Sequence, residues 1–169
     1  MKNTKSILLV EDNPDDEVLT LRALRKNRID NPVVVVRDGA EALDYLFGRG
    51  HHAVEKPRPR PALILLDLNL PRTTGHEVIV EIKRSSRLRT IPVIILTTSA
   101  DPRDVESAYA AGANGYVQKP MDFGSFVERL ADLHEFWIGK GTVPPVVQGP
   151  ALEARSAGAP GFITRLRLS

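Results

Sequence analysis

The sequence contains no cysteine, which excludes a disulfide framework, a thiol nucleophile and a thiolate metal site. Aromatic residues are scarce, at 5% of the 169 residues, and no apolar run approaches the roughly 20 residues that a membrane-spanning helix needs. The N-terminal segment MKNTKSILLVEDN has no small-residue cleavage site, so we expect no signal peptide. We therefore expect a cytoplasmic protein of ordinary domain size, long enough to bury a core and with no membrane partner.

A strong excess of charge of one sign is missing as well. The formal net charge is +2, and segment 145–169 alone contributes +2, with three arginines and one glutamate. Residues 1–144 are therefore neutral as a whole, although the Pro-rich segment 48–61 (GRGHHAVEKPRPRP) carries a local +3. This distribution argues against nucleic acid as a partner. The stretch KPRPRP is typical of an extended, solvated connection, with a docking element as the alternative.

Short apolar segments and helical patterns alternate along the chain. The apolar segments are almost continuously Val, Ile and Leu, as in strands that are buried on both faces of a sheet. A strand followed by a helix, repeated five times, requires crossover connections. The pattern predicts an α/β fold with a five-stranded parallel sheet that helices cover on both faces. The predicted strands are 6–10, 33–37, 62–66, 92–96 and 115–118, and the predicted helices include 39–47 and 75–84.

Polar side chains follow the predicted strands at the point where each strand ends. In an open parallel sheet the carboxyl ends of the strands form one edge, so these side chains should converge. A hard divalent cation such as Mg²⁺ would keep neighbouring carboxylates ionised, and a lysine and a hydroxyl beside it could hold a phosphoryl group. An aspartate in that position can act as a nucleophile and form an aspartyl phosphate. The residues at these strand ends are Glu11, Asp12, Asp67, Thr97 and Lys119.

This ordered set resembles the receiver domain of two-component response regulators, over roughly residues 4–138. Thr97 lies 30 residues after Asp67, and Lys119 lies 22 residues after Thr97, spacings similar to those of the family. The resemblance implies a flavodoxin-like (βα)5 fold with the strand order 2-1-3-4-5. It is carried by Glu11 and Asp12, by Asp67 in the motif DLNLP, and by Gly75, Thr97, Tyr116, Lys119 and Pro120.

The resemblance assigns a phosphoacceptor and a metal site. Asp67 would accept the phosphoryl group from a sensor histidine kinase. Mg²⁺ would be bound by Asp12, by Asp67 and by the backbone carbonyl of Asn69, and Glu11 would reach it through water. Glu11 stands where many members of the family have an aspartate, a difference that argues only against direct ligation by this residue.

The resemblance also assigns a switch. Lys119 would pair with one phosphoryl oxygen, and Thr97 would move toward another when phosphate is present. Tyr116 would be the aromatic residue that turns inward as Thr97 moves. The bond between Lys119 and Pro120 would be cis, which is uncommon for X–Pro bonds in folded proteins.

The chain after the last predicted helix is too short for an effector domain with a core of its own. We expect a receiver domain over residues 1–140 and an extension over 141–169, a single-domain regulator that works through protein contacts and not as an enzyme. Three features are similar to regulators that partner bacterial and cyanobacterial phytochromes: the enlarged connection before the third strand, the DLNLP motif, and the ending FWIGKGTVPP (136–145). They imply a phytochrome-type sensor histidine kinase as the partner.

Two other classes of protein remain as alternatives. A haloacid-dehalogenase-type phosphatase also forms an aspartyl phosphate, but its motif has a second Asp two residues after the nucleophile, where this chain has Asn69. An inactive or purely structural receiver-like module is the other, and the intact set of Glu11, Asp12 and Asp67 argues against it. Labelling of Asp67 by acetyl phosphate and Mg²⁺ would distinguish the three.

The last predicted helix carries more apolar side chains near its end than one sheet face can absorb. Leu133, Phe136, Trp137 and Ile138 extend the apolar surface around the helix. An exposed apolar patch usually marks an interface, so we expect a symmetric homodimer with Phe136 and Trp137 at its centre. The alternative is that the tail folds back over Trp137 within one chain.

Overall fold

In this computed structural model, residues 5–56, 58–119 and 122–138 are described. Within them, five strands and five α-helices alternate along the chain, and a short 3-10 helix, Gly50–His52, follows the second α-helix. The elements are β1 (Ile7–Val10), α1 (Pro14–Lys26), β2 (Val33–Val36), α2 (Gly39–Phe47), β3 (Leu63–Leu66), α3 (Gly75–Arg84), β4 (Val93–Thr97), α4 (Pro102–Ala111), β5 (Gly115–Gln118) and α5 (Phe123–Trp137).

The five strands form one parallel sheet in the order β2-β1-β3-β4-β5, which confirms the predicted fold class and strand order. The last residue of β1, Val10, is in register with Val36 of β2 and Leu66 of β3. Beyond the strands, the amide of Glu11 donates to the carbonyl of Val36 (3.0 Å), and the amide of Asp67 donates to that of Val10 (3.1 Å). Glu11 and Asp67, the first acids after β1 and β3, therefore lie next to each other at this edge of the sheet.

Two helices begin directly beside this edge, and local side-chain caps fix where they start. The Oδ1 atom of Asn13 accepts hydrogen bonds from the amides of Asp15 (2.9 Å) and Asp16 (3.1 Å), and Pro14 occupies the first position of α1. At the start of α3, Thr74 and Glu77 form a reciprocal capping box. The caps hold the loops after β1 and β3 in place.

The core lies in two layers, one on each face of the sheet. On one face the strands pack against α2, α3 and α4, with Val78, Ile79 and Ile82 of α3 fully buried. On the other face they pack against α1 and α5, with Phe126 and Leu130 fully buried. Every residue of β1, β3 and β4 is buried, as their continuous apolar sequences predicted.

Part of the apolar surface that the sequence predicted at the end of α5 is not exposed. Leu133 is buried in the core beneath α5, so it does not extend the outer surface of the helix. Trp137 and Ile138 are partly buried and pack against the same core. The sequence analysis did not predict this burial. A helix of 15 residues is long enough for its apolar stripe to remain in contact with the sheet beyond Leu130.

Several predicted features lie outside the described residues. They are the cis bond at Pro120, the side chain of Phe136 and the division of the chain near residue 140. Among the helices that the structure does describe, none has the length and apolar character that crossing a membrane requires.

Candidate functional site

The three predicted acidic residues meet at the carboxyl edge of the sheet. Glu11 and Asp12 follow β1, Asp67 follows β3, and one carboxylate oxygen of each lies within 4.8 Å of the others. Glu11 and Asp67 are buried, whereas Asp12 is exposed to solvent. Oxygen atoms of carboxylates are the ligands that hard divalent cations prefer, so Glu11, Asp12 and Asp67 could together bind a metal ion.

Lys119, which follows β5, is the cation at the centre of this cluster. Its Nζ atom lies 2.5 Å from Oε2 of Glu11, 2.9 Å from Oδ2 of Asp16 and 3.1 Å from Oδ2 of Asp67. Its backbone amide donates to the carbonyl of Thr97 (2.7 Å), which fixes the start of the loop after β5. Lys119 therefore contacts the predicted phosphoacceptor directly, and it also ties β1, β3 and α1 together.

The sequence did not indicate the contact with Asp16. Asp15, Asp16 and Glu17 all lie in the first turn of α1, where an acid suits the positive end of the helix dipole, so their position alone does not distinguish Asp16. The available signal was the cap: Asn13 holds the amide of Asp16, and this fixes the start of α1 beside the strand edge. Only the folded arrangement distinguishes Asp16 from its two neighbours.

The second oxygen of each buried acid is held by the backbone. Oε1 of Glu11 accepts from the amide of Asn13 (3.1 Å), and Oδ1 of Asp67 accepts from the amide of Asn69 (3.0 Å). Both carboxylates are thus oriented by one backbone donor and by Lys119 before any ligand binds. Pre-orientation of this kind lowers the cost of ordering the site when it reacts.

Burial and crowding of charges shift the pKa values of this pair. Burial raises the pKa of Glu11 to about 7, although the hydrogen bond from Lys119 opposes the shift. Burial also opposes the charge on Lys119, but its hydrogen bond to Glu11 and the nearby charge of Asp67 outweigh burial and raise the pKa of the ammonium. Lys119 therefore keeps its charge. A cation bound beside Glu11 would favour the ionised carboxylate.

Gly75 is needed at the start of α3 because the helix approaches the loop after β3 closely. A Cβ atom at this position would lie 2.6 Å from the carbonyl oxygen of Asp67 and 2.8 Å from Cα of Leu68. Both neighbours are backbone atoms, so they cannot move aside without displacing Asp67. Position 75 therefore requires a residue without a Cβ atom.

Thr97 and Tyr116 are linked through Ser99. Thr97 is fully buried at the end of β4, and its Oγ1 atom accepts a long hydrogen bond from the amide of Ser99 (3.4 Å). The hydroxyl of Tyr116 donates to the carbonyl of Ser99 (2.7 Å), and the hydroxyl of Ser99 donates to Asp104 at the start of α4. The Tyr116 ring is buried, and burial raises the pKa of its hydroxyl to about 12. The Tyr116 side chain is therefore buried and tied to the loop after β4.

A further contact that the sequence did not reveal anchors the loop after β3. Arg72 has a positive φ of 64°, and its guanidinium donates to the carboxylate of Asp38, the N-cap of α2. Burial opposes the charge on Asp38, but the amide of Glu41 and the Arg72 guanidinium together hold its pKa below the usual range. The loop that begins at Asp67 is therefore fixed at both ends.

Comparison with known proteins gives a match over most of the chain. Residues 7–131 match the family model described as the response regulator receiver domain. The chain is 42% identical over 145 residues to the probable methanogenesis regulatory protein FilR2 of Methanothrix harundinacea, which covers 86% of this chain and 88% of FilR2. It is 39% identical over 140 residues to the response regulator Rcp1 of Synechocystis sp., which covers 83% of this chain and 93% of Rcp1.

Solved structures are similar as well. The phosphorylated cyanobacterial phytochrome response regulator RcpA matches with a TM-score of 0.73 at 40% identity, covering 82% of this chain and 97% of RcpA. The Mn²⁺-bound form of Rcp1 matches with a TM-score of 0.71 at 39% identity, covering 83% and 99% of the two chains.

Proposed function

This chain belongs to the response regulator receiver domain family, and from that membership we propose that Asp67 is its phosphoacceptor. The chain is homologous to phytochrome response regulators, and phosphorylation of an aspartate is implied by the family. The observation that carries the assignment of Asp67 is its contact with Lys119 (3.1 Å) inside a cluster of three acids that could bind a metal ion. Membership of this family sets aside the haloacid-dehalogenase-type phosphatase.

The proposed reaction is transfer of a phosphoryl group from a histidine of the kinase to Asp67. An Oδ atom of Asp67 forms a bond to phosphorus as the bond between phosphorus and the imidazole nitrogen breaks, and the imidazole leaves with the electron pair. The ammonium of Lys119 moves from the Asp67 carboxylate to a phosphoryl oxygen, which carries the charge after transfer. The hydroxyl of Thr97 exchanges its long contact with Ser99 for a second phosphoryl oxygen.

Mg²⁺ fits the donor set of this site. Asp12, Asp67 and the backbone carbonyl of Asn69 would hold it directly, and Glu11 would contact it through water. When bound, the cation would supply positive charge beside the phosphoryl oxygens during transfer. Lys119 and the backbone amides of Asn13 and Asn69 orient the acids for this role.

Acetyl phosphate tests the assignment of Asp67, since it needs no kinase. With Mg²⁺, the wild-type chain should gain one phosphoryl group, seen as a mass increase and as slower migration in a phosphate-affinity gel. Asp67→Asn keeps the shape of the side chain but removes the nucleophile, so it should gain none. Phosphorylation of Asp67→Asn at the wild-type rate would overturn the assignment, and an unlabelled wild-type chain would favour an inactive receiver-like module.

Receiver domains partner with histidine kinases, and we propose a kinase of the phytochrome type for this chain. The proposal is supported by the names of relatives such as RcpA and by the enlarged connection between α2 and β3. The transfer would take place in the cytoplasm, where ATP supplies the phosphoryl group to the kinase. A purified bacterial phytochrome should phosphorylate this chain faster than a histidine kinase that does not sense light; equal rates would contradict the pairing.

We also propose that the chain forms a symmetric homodimer through the end of α5. Trp137 and Ile138 are only partly buried within one chain, although they are apolar and adjacent. Burying such side chains against a second copy removes apolar surface from water. Phe136 and Trp137 are the proposed centre of this interface.

A further inference from the structure

The basic insertion between α2 and β3 (residues 48–56 and 58–61 of the described chain) is packed against the body of the domain by arginine side chains. The guanidinium of Arg58 lies 4.7 Å from the ring centroid of Tyr45 in α2 and donates to the carbonyl of Tyr45 (3.2 Å). Arg60 donates to the carbonyl of Arg87 and to the hydroxyl of Thr90, both at 3.0 Å. The insertion is therefore not the freely solvated connection that its sequence favoured.

Arg87, from the turn between α3 and β4, completes the arrangement. It donates to the carbonyl of Leu46 at the end of α2 (3.0 Å) and to the carbonyl of Arg58 in the insertion (2.9 Å). The three arginines are thus connected through hydrogen bonds to backbone carbonyls of one another, and each guanidinium is ordered by neutral acceptors. Ordering them in advance reduces the entropy that a partner would lose on binding them.

The positive charges of these three arginines are not neutralised within the described part of the chain. No carboxylate oxygen of the described residues lies within 4.0 Å of Arg58, Arg60 or Arg87, whereas Arg49 pairs with Asp44 at 2.9 Å. The neighbouring exposed residues Glu55 and Lys56 have opposite charges that cancel. A local excess of positive charge therefore remains at this surface.

Apolar surface is exposed at the same place. Phe47 and Val54 are 38% and 40% exposed, and they are two of the three large hydrophobic side chains that are exposed among the described residues. They line a groove of about 240 Å³ together with Tyr45, Leu46, Gly48, Glu55, Arg58 and Arg87, so that two arginines and one glutamate face it. Gly48 ends α2 with a positive φ of 66°, and a Cβ atom at this position would lie only 3.2 Å from Cγ2 of Val54.

We propose that this surface, the arginine groove, docks an acidic segment of a partner protein that carries an apolar side chain. The apolar side chain enters between Phe47 and Val54, and flanking carboxylates pair with Arg58, Arg60 and Arg87. Aromatic residues and arginines are the side chains that most often dominate binding energy at protein interfaces. The extension of this chain does not match the groove, since segment 145–169 has three arginines and one glutamate.

The arginine groove lies at the amino ends of the strands, beside the start of β3, whereas Asp67 lies at the carboxyl end of the same strand. A partner that docks in the groove therefore leaves the phosphorylation edge open. Docking and phosphoryl transfer can occur together, and the groove serves to hold a partner while the other edge reacts.

A labelled acidic peptide tests this proposal on the full chain. The probe is a short glutamate-rich peptide with one central leucine, and its comparison peptide has serine in place of leucine. On titration into the ¹⁵N-labelled chain, the leucine peptide should shift the amide signals of Phe47, Val54 and Arg58. Fluorescence anisotropy should show binding about tenfold weaker for Arg58→Gln and for Phe47→Ser, the loss typical of one important interface residue.

The control variant is Arg103→Gln, which removes one exposed positive charge on α4 and should bind the peptide as the wild type does. Equal binding of the leucine and serine peptides would overturn the apolar part of the proposal. Shifts centred elsewhere, no binding at millimolar peptide, or equal weakening by Arg103→Gln would overturn the site. If a DNA duplex binds more tightly than the peptide, the partner is a nucleic acid and not a protein. If the chain has twice its monomer mass and Arg58→Gln abolishes that dimer, the partner is a second copy of the chain.

Discussion

At the residue scale, Lys119 holds together groups that come from distant parts of the chain. One ammonium contacts Glu11, Asp16 and Asp67, and the three acids would repel one another without it. A single positive charge offsets the repulsion among these carboxylates. Removal of the charge of any one acid therefore changes how strongly Lys119 interacts with the other two. A phosphoryl group on Asp67, as proposed above, would be a further competitor for the same ammonium.

Asp16 and Asp67 both contact Lys119, so Asp16 would compete with a phosphoryl group on Asp67 for the ammonium. Asp16→Asn should therefore strengthen the contact between Lys119 and phosphate and slow dephosphorylation by a factor of about two to five, as expected for a partly exposed ion pair worth up to about 1 kcal/mol. Decay of the phosphorylated chain after removal of acetyl phosphate measures this. Asp15→Asn is the matched control because Asp15 is exposed in the same turn; equal effects of the two changes would contradict the competition.

Asp12 is the exposed member of the acidic cluster, so its proposed metal-binding role can be tested separately from folding. Asp12→Ala should lower Mg²⁺ affinity by tenfold or more, about 1.4 kcal/mol, while changing the free energy of unfolding by less than about 0.5 kcal/mol. NMR shifts of the amides after β1 and β3 report the titration better than Trp137 fluorescence, since Trp137 lies at the far end of α5. Unchanged Mg²⁺ affinity would remove Asp12 from the ligand set.

At the scale of elements, replacing each of the two glycines near helix starts by alanine should change the free energy of unfolding in opposite directions. Gly75→Ala places a Cβ atom 2.6 Å from the Asp67 carbonyl, so it should lower the free energy of unfolding by about 1–3 kcal/mol and slow phosphorylation. For Gly124→Ala in α5, the nearest atom among the described residues is Oδ1 of Asp122 at 3.5 Å, so this change should raise stability by about 0.5–1 kcal/mol. Urea unfolding measures both; a neutral Gly75→Ala would show that the loop can move.

The sequence predicted the elements well because each carries its own local signal. Continuous apolar segments identified the strands, and the predicted helices 39–47 and 75–84 have the bounds that the structure shows. The end of β4 was placed one residue early because Thr97 is polar, although it is buried within the strand. The short 3-10 helix after α2 was missed since its sequence, Gly50–His52, has no apolar periodicity.

Side-chain contacts between elements were harder to anticipate. The acids at the strand ends could be assigned to one edge because parallel topology requires it. Asp16, Ser99 and the contact between Arg72 and Asp38 depend on how helices and loops meet that edge, and nothing in their local sequence distinguishes them from ordinary surface residues. The same holds for the arginines of the insertion, whose acceptors are backbone carbonyls of remote residues.

At the scale of the whole molecule, Leu133 and Trp137 separate folding from association. Leu133 is buried in the core, so Leu133→Ala should lower the free energy of unfolding by about 2–5 kcal/mol. Trp137→Ala should cost less stability but should dissociate the proposed dimer. Light scattering at micromolar concentration measures the mass of each variant. A monomeric wild-type chain, phosphorylated or not, would refute the dimer.

The central strand β1 gives the molecule an internal measure of its own stability. All four of its residues are buried, and it is hydrogen-bonded to β2 on one side and β3 on the other. Its amide hydrogens can therefore exchange with deuterium only when the sheet as a whole opens. Any ligand that binds only the folded chain slows that exchange by a factor of 1 + [L]/Kd, where [L] is the concentration of free ligand. Exchange at Leu8 and Leu9 thus reports the binding of Mg²⁺, phosphate or a docked peptide alike, without a label on any of them.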